Sequence, residues 1–274
     1  PKTVDNDLPI TDCSPGFGSV AKYVATSTLE AGLDVKSMSE TSTKVFILEV
    51  MGRHAGWIAA ASALAARNET DPPHIILMPE VPFAKKKFIN KVKQTVANEG
   101  FCVVVASEGA RYKNGMFLAD SGLTDAFGHK QLGGVAPVLA QMISSIGLKN
   151  HWAVSDYLQR SARHISSKTD LDQAYAVGKK AVEFALAGKN AVMPVIKRLS
   201  DKPYKWKIES ASLSKVANVE KTLPKSYISK DGFKISSKGK DYLTPLIQGE
   251  PPLEFKNGIP VVAKLKNVLV KKLT

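Results

Sequence analysis

The 274-residue sequence has few of the features that mark secreted or membrane proteins. Its two cysteines, Cys13 and Cys102, are too few for a disulfide framework. Cys102 lies inside the apolar run 101–106, where a buried free thiol is expected. No apolar stretch approaches the roughly 20 residues that cross a bilayer, and no secretory pattern opens the chain. We therefore expect a soluble protein of the reducing cytoplasm with no membrane partner.

Several catalytic and metal-binding motifs are also missing from the sequence. His54, His129 and His151 share no metal-ligand spacing with each other or with a cysteine, so a zinc site is not expected. Neither a G-x-S-x-G nucleophile elbow nor a complete G-x-x-x-x-G-K-[ST] phosphate loop is present. No internal repeat of fixed period is evident. The sequence therefore gives no support for a repeat protein, a zinc site, a hydrolase with a nucleophile elbow or a P-loop protein.

The composition is that of an ordinary globular protein, with 44% hydrophobic and 23% charged residues, but the formal net charge is +13. Residues 200–274 hold 15 lysines against 7 acidic residues. These lysines are scattered among Pro, Ser and Gly, and no zinc-finger or RNA-binding motif accompanies them. We therefore expect a solvated surface and no nucleic-acid partner. The alternative, a nucleic-acid-binding segment, would require binding that falls steeply with salt.

Short apolar runs alternate with helix-patterned segments along most of the chain, which predicts an α/β fold with a parallel sheet. The predicted strands are 44–50, 74–78, 101–107, 151–155 and, as a last core strand, 190–196. The predicted helices are 19–32, 57–67, 86–98, 134–147 and 171–187. Beyond residue 200, frequent Pro and Gly predict irregular structure and short helices.

Ligands of open α/β sheets bind at the carboxyl ends of the strands, so polar residues that follow buried strands are the first candidates for a site. A separate candidate stands at the start of the chain, in Pro1-Lys2-Thr3-Val4-Asp5-Asn6-Asp7. Its two carboxylates and one ammonium can accept a proton, hold a divalent cation and neutralise phosphate. A solvated turn is the alternative, because Asn and Asp favour turns.

Three further clusters follow predicted strands. Residues 51–53 combine a glycine, which lets backbone N–H groups approach an anion, with an arginine fork that suits phosphate oxygens. Glu108 could accept hydrogen bonds from sugar hydroxyls. Residues 157–160, with Arg163 and His164 behind them, form a dense set of donors for a phosphate monoester. Each cluster could also be plain surface, yet together they indicate one phosphorylated, hydroxyl-rich ligand beside a second phosphate and a cation.

In this order, the clusters resemble the motifs of the phosphofructokinase family, and the likeness is closest to its pyrophosphate-dependent members. The resemblance covers about residues 1–198. It implies a phosphofructokinase-like α/β fold with parallel-sheet, three-layer domains and a C-terminal extension. Residues 1–17 and 161–198 would belong to a donor-binding domain, residues 18–160 would bind fructose 6-phosphate, and residues 199–274 would form the extension.

The resemblance also implies roles for the opening cluster. Asp5 would be the base that takes the proton from the 1-hydroxyl of fructose 6-phosphate, with Thr3 and Val4 beside the sugar. Asp7 would lie near magnesium. Lys2 stands where pyrophosphate-using members carry lysine and ATP-using bacterial members carry glycine, so it implies pyrophosphate as the phosphoryl donor.

For the sugar phosphate, the resemblance implies two groups of contacts. Met51 and Gly52 would place backbone against the sugar, Arg53 would contact the transferring phosphoryl group, and Glu108 would bind sugar hydroxyls. The remaining contacts would be with the 6-phosphate, from Tyr157 and Arg160 of one subunit and from Lys44 and His151 of a neighbouring one. His151 departs from the family pattern, which has a stronger cation there. A homodimer or homotetramer is therefore expected.

The implied activity is magnesium-assisted, reversible transfer of a phosphoryl group from pyrophosphate to fructose 6-phosphate, giving fructose 1,6-bisphosphate in glycolysis. An ATP-dependent 6-phosphofructokinase and a non-catalytic sugar-phosphate-binding chain stay open as alternatives. The family's phosphate-donor loop and its magnesium aspartate precede the opening motif. We therefore expect further sequence upstream of Pro1, and expect the chain as given to be part of a longer catalytic unit.

Overall fold

The computed structural model describes residues 1, 3–124, 130–132 and 134–272. The helices are α1 Phe17–Met38, α2 Trp57–Ala61, α3 Lys85–Glu99, α4 Val135–Ser144, α5 Leu158–Ser161, α6 Lys168–Leu186 and α7 Ser237–Leu243. The strands are β1 Val45–Val50, β2 Ile75–Leu77, β3 Cys102–Ser107, β4 Asp120–Thr124, β5 Lys130–Leu132, β6 Asn150–Val154, β7 Val192–Asp201, β8 Tyr204–Ser212, β9 Phe255–Lys256 and β10 Ile259–Pro260. Short 3₁₀ turns cover Ser62–Ala65, Arg163–Ile165, Leu213–Lys215, Lys225–Tyr227 and Thr244–Ile247.

A four-stranded parallel sheet in the order β2-β3-β1-β6 forms the centre of the fold. Alternate residues of each strand point to opposite faces, and β1 shows this clearly. Leu48 and Val50 pack in a core with helices α1 and α2, whereas Val45 and Ile47 pack in a second core with α3 and α4. Helices therefore cover both faces of the sheet, and the predicted α/β fold is confirmed.

Helix α1 begins at a turn that a buried carboxylate holds in place. Gly16 precedes the helix with a φ of 98°, in the left-handed region where a side chain would be strained. Asp170 accepts hydrogen bonds from the N–H groups of Gly16 (2.8 Å) and Ser19 (3.0 Å) and from the Ser19 hydroxyl (2.6 Å). A negative charge at a helix N-terminus is favourable, so α6, which carries Asp170, is fixed to the start of α1.

Two predictions about the last third of the chain are only partly correct: a strand and short helices form there, but not in the expected arrangement. Residues 192–201 do not join the central sheet as a last core strand, because β7 pairs antiparallel with β8 in a two-stranded ribbon. The stretch after residue 200 is also more regular than expected, since Tyr204, Trp206 and Ile208 alternate with polar residues. That alternation is the pattern of a half-buried strand, and the surrounding Pro and Gly obscured it. The predicted domain boundary at residue 199 falls inside β7, and the domain division stays a prediction.

Much of the C-terminal segment is part of the main core. Leu223, Leu243 and Leu246 are almost fully buried, in the same cluster as Phe17 and Trp57 near the start of the chain. Removing such leucines typically costs 2–5 kcal/mol. Residues up to about 247 therefore help to stabilise the fold, whereas residues 261–272 form no helix or strand and are largely exposed.

Both cysteines are free and buried, as expected for Cys102. Within the described ranges, none of the helices has the length and apolar character needed to cross a membrane.

Candidate active site

Three of the predicted clusters meet at the carboxyl edge of the central sheet. Strand β1 lies between β3 and β6, so the residues that follow β1 are flanked by those that follow β3 and β6. Residues 51–53 therefore lie between Glu108 and residues 157–160. The register supports this arrangement, because Val50 pairs with Ser107 and the Ser155 N–H donates to the Glu49 carbonyl at 3.0 Å.

Gly52 joins the β1 and β3 loops at a point where no side chain fits. Its φ is 126°, and an added Cβ would lie 2.6 Å from the Ala55 carbonyl oxygen and 3.1 Å from Ser107 Oγ. The Gly52 N–H donates to Glu108 Oε1 at 3.3 Å, and the Ser107 hydroxyl donates to the Gly52 carbonyl. These bonds fix the Glu108 carboxylate beside the backbone of residues 52–53.

Arg53 is held through its backbone. Its carbonyl oxygen accepts a hydrogen bond from Arg111 Nη2 at 3.2 Å, and an added Cβ on Gly109 would lie 2.1 Å from the same oxygen. The two loops thus pack backbone to backbone, which requires glycine at position 109. The Arg53 side chain is half-buried and contributes positive charge to the site.

Asp5, at the start of the chain, interacts electrostatically with Glu108 and Arg53. Burial, together with the neighbouring carboxylates of Asp7 and Glu108, raises the pKa of Asp5 from its usual value to about 6. His54 and Arg53 act in the opposite direction. Burial also raises the pKa of Glu108, which Arg53 partly offsets. A carboxylate with a pKa near the working pH is suited to general-base chemistry.

Thr3, another residue of the opening cluster, contacts Asp5 directly. The Asp5 N–H donates to Thr3 Oγ1 at 3.1 Å, and Thr3, Val4 and Asp7 are half-buried. Lys2 lies outside the described residues, so its predicted role stays a prediction.

The loop after β6 contains two exposed predicted donors and, within the same predicted cluster, one buried residue whose structural role the sequence analysis did not predict. The Arg160 guanidinium stacks on the Tyr157 ring, with Cζ 4.2 Å from the ring centroid. Between them, Gln159 is 2% exposed, its Oε1 accepts from the Met51 N–H at 3.3 Å, and its Nε2 donates to the Asp156 carbonyl at 2.9 Å. Gln159 therefore connects the β6 loop to the β1 loop. No sequence signal separated it from its surface neighbours.

Glu49 is a residue that the sequence analysis did not single out as a candidate. This carboxylate is 5% exposed within β1, and its Oε2 accepts from the Ala136 N–H at 2.7 Å, at the first turn of α4. Burial raises the pKa of Glu49, and Glu108 contributes in the same direction. A charged residue inside an apolar strand is rare, so its position in the run 44–50 was an available signal.

Lys44 and His151 lie away from this group. Lys44 precedes β1, and its Nζ donates to the Ser39 carbonyl, whereas His151 is exposed on β6 opposite Phe46. Both therefore lie at the amino end of the sheet, while residues 51–53 follow its carboxyl end. Six residues of strand separate Lys44 from Met51, which corresponds to roughly 20 Å.

An open cleft of about 680 Å³ lies beside Asp7 and is also lined by Leu8, Met193 and Glu220. The described part of the chain holds no group of three His, Cys, Asp or Glu side chains that could bind a metal ion by itself. A cation at Asp7 would therefore need further ligands from outside these residues.

Comparisons with known proteins point to one family. A family model described as phosphofructokinase matches residues 1–185. The sequence is 64% identical over 273 residues to the pyrophosphate–fructose 6-phosphate 1-phosphotransferase of Halomonas elongata, covering 99% of this chain and 65% of that protein. It is 58% identical over 275 residues to the protein of the same name from Xanthomonas campestris, covering 99% of this chain and 66% of that protein.

The fold is also similar to a crystal structure of a pyrophosphate-dependent phosphofructokinase from Marinobacter aquaeolei. The TM-score is 0.90 at 61% sequence identity, and the match covers 100% of this chain and 66% of that one. The chain thus spans about two thirds of the length of these relatives.

Proposed function

The chain belongs to the phosphofructokinase family, and from that premise we propose that it transfers a phosphoryl group from pyrophosphate to the 1-hydroxyl of fructose 6-phosphate. The observation that carries the proposal is the carboxylate of Asp5, which burial and its acidic neighbours bring to a pKa of about 6 beside Arg53 and Glu108. The names of the relatives at 58–64% identity support pyrophosphate as the donor. The reaction is reversible and would be a step of glycolysis.

In this mechanism, Asp5 accepts the proton of the 1-hydroxyl. The O1 oxygen then forms a bond to the terminal phosphorus of pyrophosphate, and the bond from that phosphorus to the bridging oxygen breaks. The leaving group departs as inorganic phosphate. Positioning and electrostatic stabilisation supply nearly all the catalysis in such transfers. Arg53 offsets charge on the transferring group, and Lys2 is proposed to do the same from the donor side.

Fructose 6-phosphate would bind along the carboxyl edge of the sheet. Glu108 would accept hydrogen bonds from sugar hydroxyls, because its carboxylate is fixed beside Gly52. Thr3, Val4 and Met51 would pack against the sugar. Tyr157 and Arg160, both exposed in the β6 loop, would contact the 6-phosphate.

A second subunit would complete the sugar-phosphate site. Lys44 and His151 lie at the far end of the sheet from Arg160, so within one chain they cannot contact the same phosphate. We therefore propose a homodimer or homotetramer in which these two residues reach the site of a neighbouring chain. Histidine carries less charge at neutral pH than arginine, so this contact is weaker than the family pattern implies.

Magnesium fits the donor set beside Asp5. Mg²⁺ is usually bound by one or two carboxylates together with substrate phosphates and water, and Asp7 offers one carboxylate at the edge of the open cleft. When bound, the ion would neutralise charge on pyrophosphate. The proposed cytoplasmic location, the absence of a nucleic-acid partner and the division into domains 1–17 with 161–198, 18–160 and 199–274 stay predictions.

The proposed function can be tested by a coupled assay of the full-length protein. Fructose 6-phosphate and magnesium are supplied with pyrophosphate, with ATP, or with neither donor. We expect turnover with pyrophosphate and none with ATP. Turnover with ATP alone would overturn the donor assignment, and fructose 6-phosphate binding without turnover by either donor would overturn the assignment as an enzyme.

A further inference from the structure

A short segment from the C-terminal part of the chain contacts two loops of the candidate active site. Glu220, Lys221, Thr222 and Leu223, here called the 220–223 strap, lie between the 3₁₀ turns Leu213–Lys215 and Lys225–Tyr227. The strap is outside residues 1–185, which the family model matches. It nevertheless contacts both loops that carry the proposed reacting groups.

Lys221 binds the loop that follows Asp5. Its N–H donates to the Asp7 carbonyl at 2.6 Å. Its Nζ donates to Asn6 Oδ1 at 3.3 Å and to the carbonyls of Thr11 and Asp12 at 3.1 and 3.0 Å. An ammonium group has three donors, and all three are directed at this one loop.

The hydrogen bonds of Lys221 influence Asp5 through its neighbour Asn6. Asn6 is fully buried and has a φ of 57°, so the chain turns sharply between the two aspartates. Its Oδ1 also accepts from the Ser14 N–H at 3.0 Å. Lys221 therefore holds the side chain that stabilises the left-handed turn next to Asp5.

The same strap also binds the loop that carries Arg53. Nδ1 of His54 lies 3.0 Å from Glu220 Oε1. The indole N–H of Trp57 donates to the Lys221 carbonyl at 2.8 Å, and the Lys221 ammonium lies 5.2 Å from the centroid of the same ring. Lys221 and its neighbour thus connect the Asp5 loop to the Arg53 loop.

A half-buried carboxylate fixes the far end of the strap. Glu80 Oε1 accepts from the Leu223 N–H at 2.8 Å and from the Gly56 N–H at 3.0 Å. The Leu223 side chain is 3% exposed in the main core. The strap is therefore held to the core at a position independent of Lys221, and loss of the ammonium should not release it.

The Lys221 ammonium group is more buried than the ammonium of a surface ion pair. Burial lowers the pKa of Lys221 to about 8, while Cys13, Asp12 and Asp7 act in the opposite direction. Burying a charge costs free energy unless hydrogen bonds compensate it. Here the compensation comes from three oxygens of the Asp5 loop, so this loop conformation and the position of the ammonium stabilise each other.

We propose that Lys221 is a positioning residue for phosphoryl transfer, which holds the loop from Asn6 to Asp12, and with it Asp5, in register with the loop of Arg53. This inference rests on the proposed function, because it assigns Lys221 to the same site. Lys221 acts through the loop, so its loss should affect the chemical step more than the binding of fructose 6-phosphate at Arg160.

The test compares Lys221→Met, Lys221→Arg and the exposed control Lys225→Met in the full-length protein. Turnover with pyrophosphate is measured below the unfolding temperature of each variant. We expect Lys221→Met to lower kcat at least tenfold while KM for fructose 6-phosphate changes less than threefold. Lys221→Arg should restore part of kcat, because a guanidinium can also donate to the loop carbonyls, and Lys225→Met should match the wild type.

Amide hydrogen exchange supplies a readout that does not depend on activity. Exchange in Lys221→Met should accelerate at least tenfold for residues 6–12 and stay unchanged in the central strands β1 and β3. Wild-type kcat together with unchanged exchange would overturn the inference. Faster exchange throughout the protein, with kcat and KM equally impaired, would also overturn it, because it would indicate a general structural role.

Failure of the proposed function and failure of the inference about Lys221 give different results. If the wild type shows no turnover with any donor, the proposed function fails. The exchange of residues 6–12 in Lys221→Met then decides alone whether Lys221 holds the loop.

Discussion

Replacing Asp5 by asparagine should stabilise the folded protein at neutral pH although it removes the proposed base. The pKa of Asp5 is raised from 3.8 to about 6 by burial and by Asp7 and Glu108. A carboxyl group with a raised pKa binds its proton more tightly in the folded than in the unfolded chain. The free energy of unfolding therefore falls as the pH rises from about 4 to about 6.

The size of this effect follows from the shift. A difference of about 2 pKa units, at 1.36 kcal/mol each, means that the ionised Asp5 carboxylate costs at most about 3 kcal/mol at pH 7.5. Asparagine has nearly the same shape and no charge, so Asp5→Asn avoids this cost. We expect the free energy of unfolding to rise by about 1–3 kcal/mol at pH 7.5 and by less than about 1 kcal/mol at pH 4.

Urea unfolding, followed by tryptophan fluorescence at the two pH values, measures this difference. Asp34→Asn is the matched control, because Asp34 is exposed on α1, and its substitution should change stability by less than about 0.5 kcal/mol. An equal gain for Asp5→Asn at both pH values, or no gain at pH 7.5, would contradict a raised pKa for Asp5.

Three further predictions concern binding, packing and pH. Arg160→Ala should raise KM for fructose 6-phosphate about 10- to 100-fold, the loss expected for charge-assisted hydrogen bonds; an unchanged KM would contradict the 6-phosphate assignment. Gln159→Leu should lower the free energy of unfolding in urea by about 1–3 kcal/mol, because the Met51 N–H loses its acceptor, and unchanged stability would show that this bond contributes little. The pH profile of kcat/KM should fall below about pH 6 as Asp5 takes up its proton. Asp7→Asn should move that limb to lower pH, a shift that titration of the substrates cannot produce.

The central sheet could be predicted from the sequence because its strands are buried on both faces. Cys102–Ser107 and Val45–Val50 are almost continuous apolar runs, and such runs have few other interpretations. The two-stranded ribbon of β7 and β8 was not predicted, because its second strand, Tyr204–Ser212, lies in a region where Pro and Gly predicted irregular structure. There the alternation of apolar and polar residues was the better guide.

The predicted site residues are those whose chemistry is local to one loop. Glu108, Arg53 and Asp5 each stand in a short polar cluster, and the sheet order explains why the first two meet. The structural roles of Gln159 and Lys221 could not be predicted, because they depend on which distant loop packs against each residue. A buried glutamine or lysine has the same sequence context as an exposed one until the tertiary contacts are known.

The proposed mechanism has pyrophosphate as the phosphoryl donor and Asp5 as the base. Radiolabelled pyrophosphate tests it most directly. Fructose 6-phosphate, magnesium and ³²P-labelled pyrophosphate are incubated with the full-length protein and with its Asp5→Ala variant, and the position of the label in the product sugar is determined. We predict label on the 1-phosphate of fructose 1,6-bisphosphate with the wild type and a loss of at least 10³-fold in rate with Asp5→Ala, within the 10²–10⁴-fold range of general-base catalysis. Undiminished transfer by the variant, or no labelled sugar with the wild type, would contradict the account.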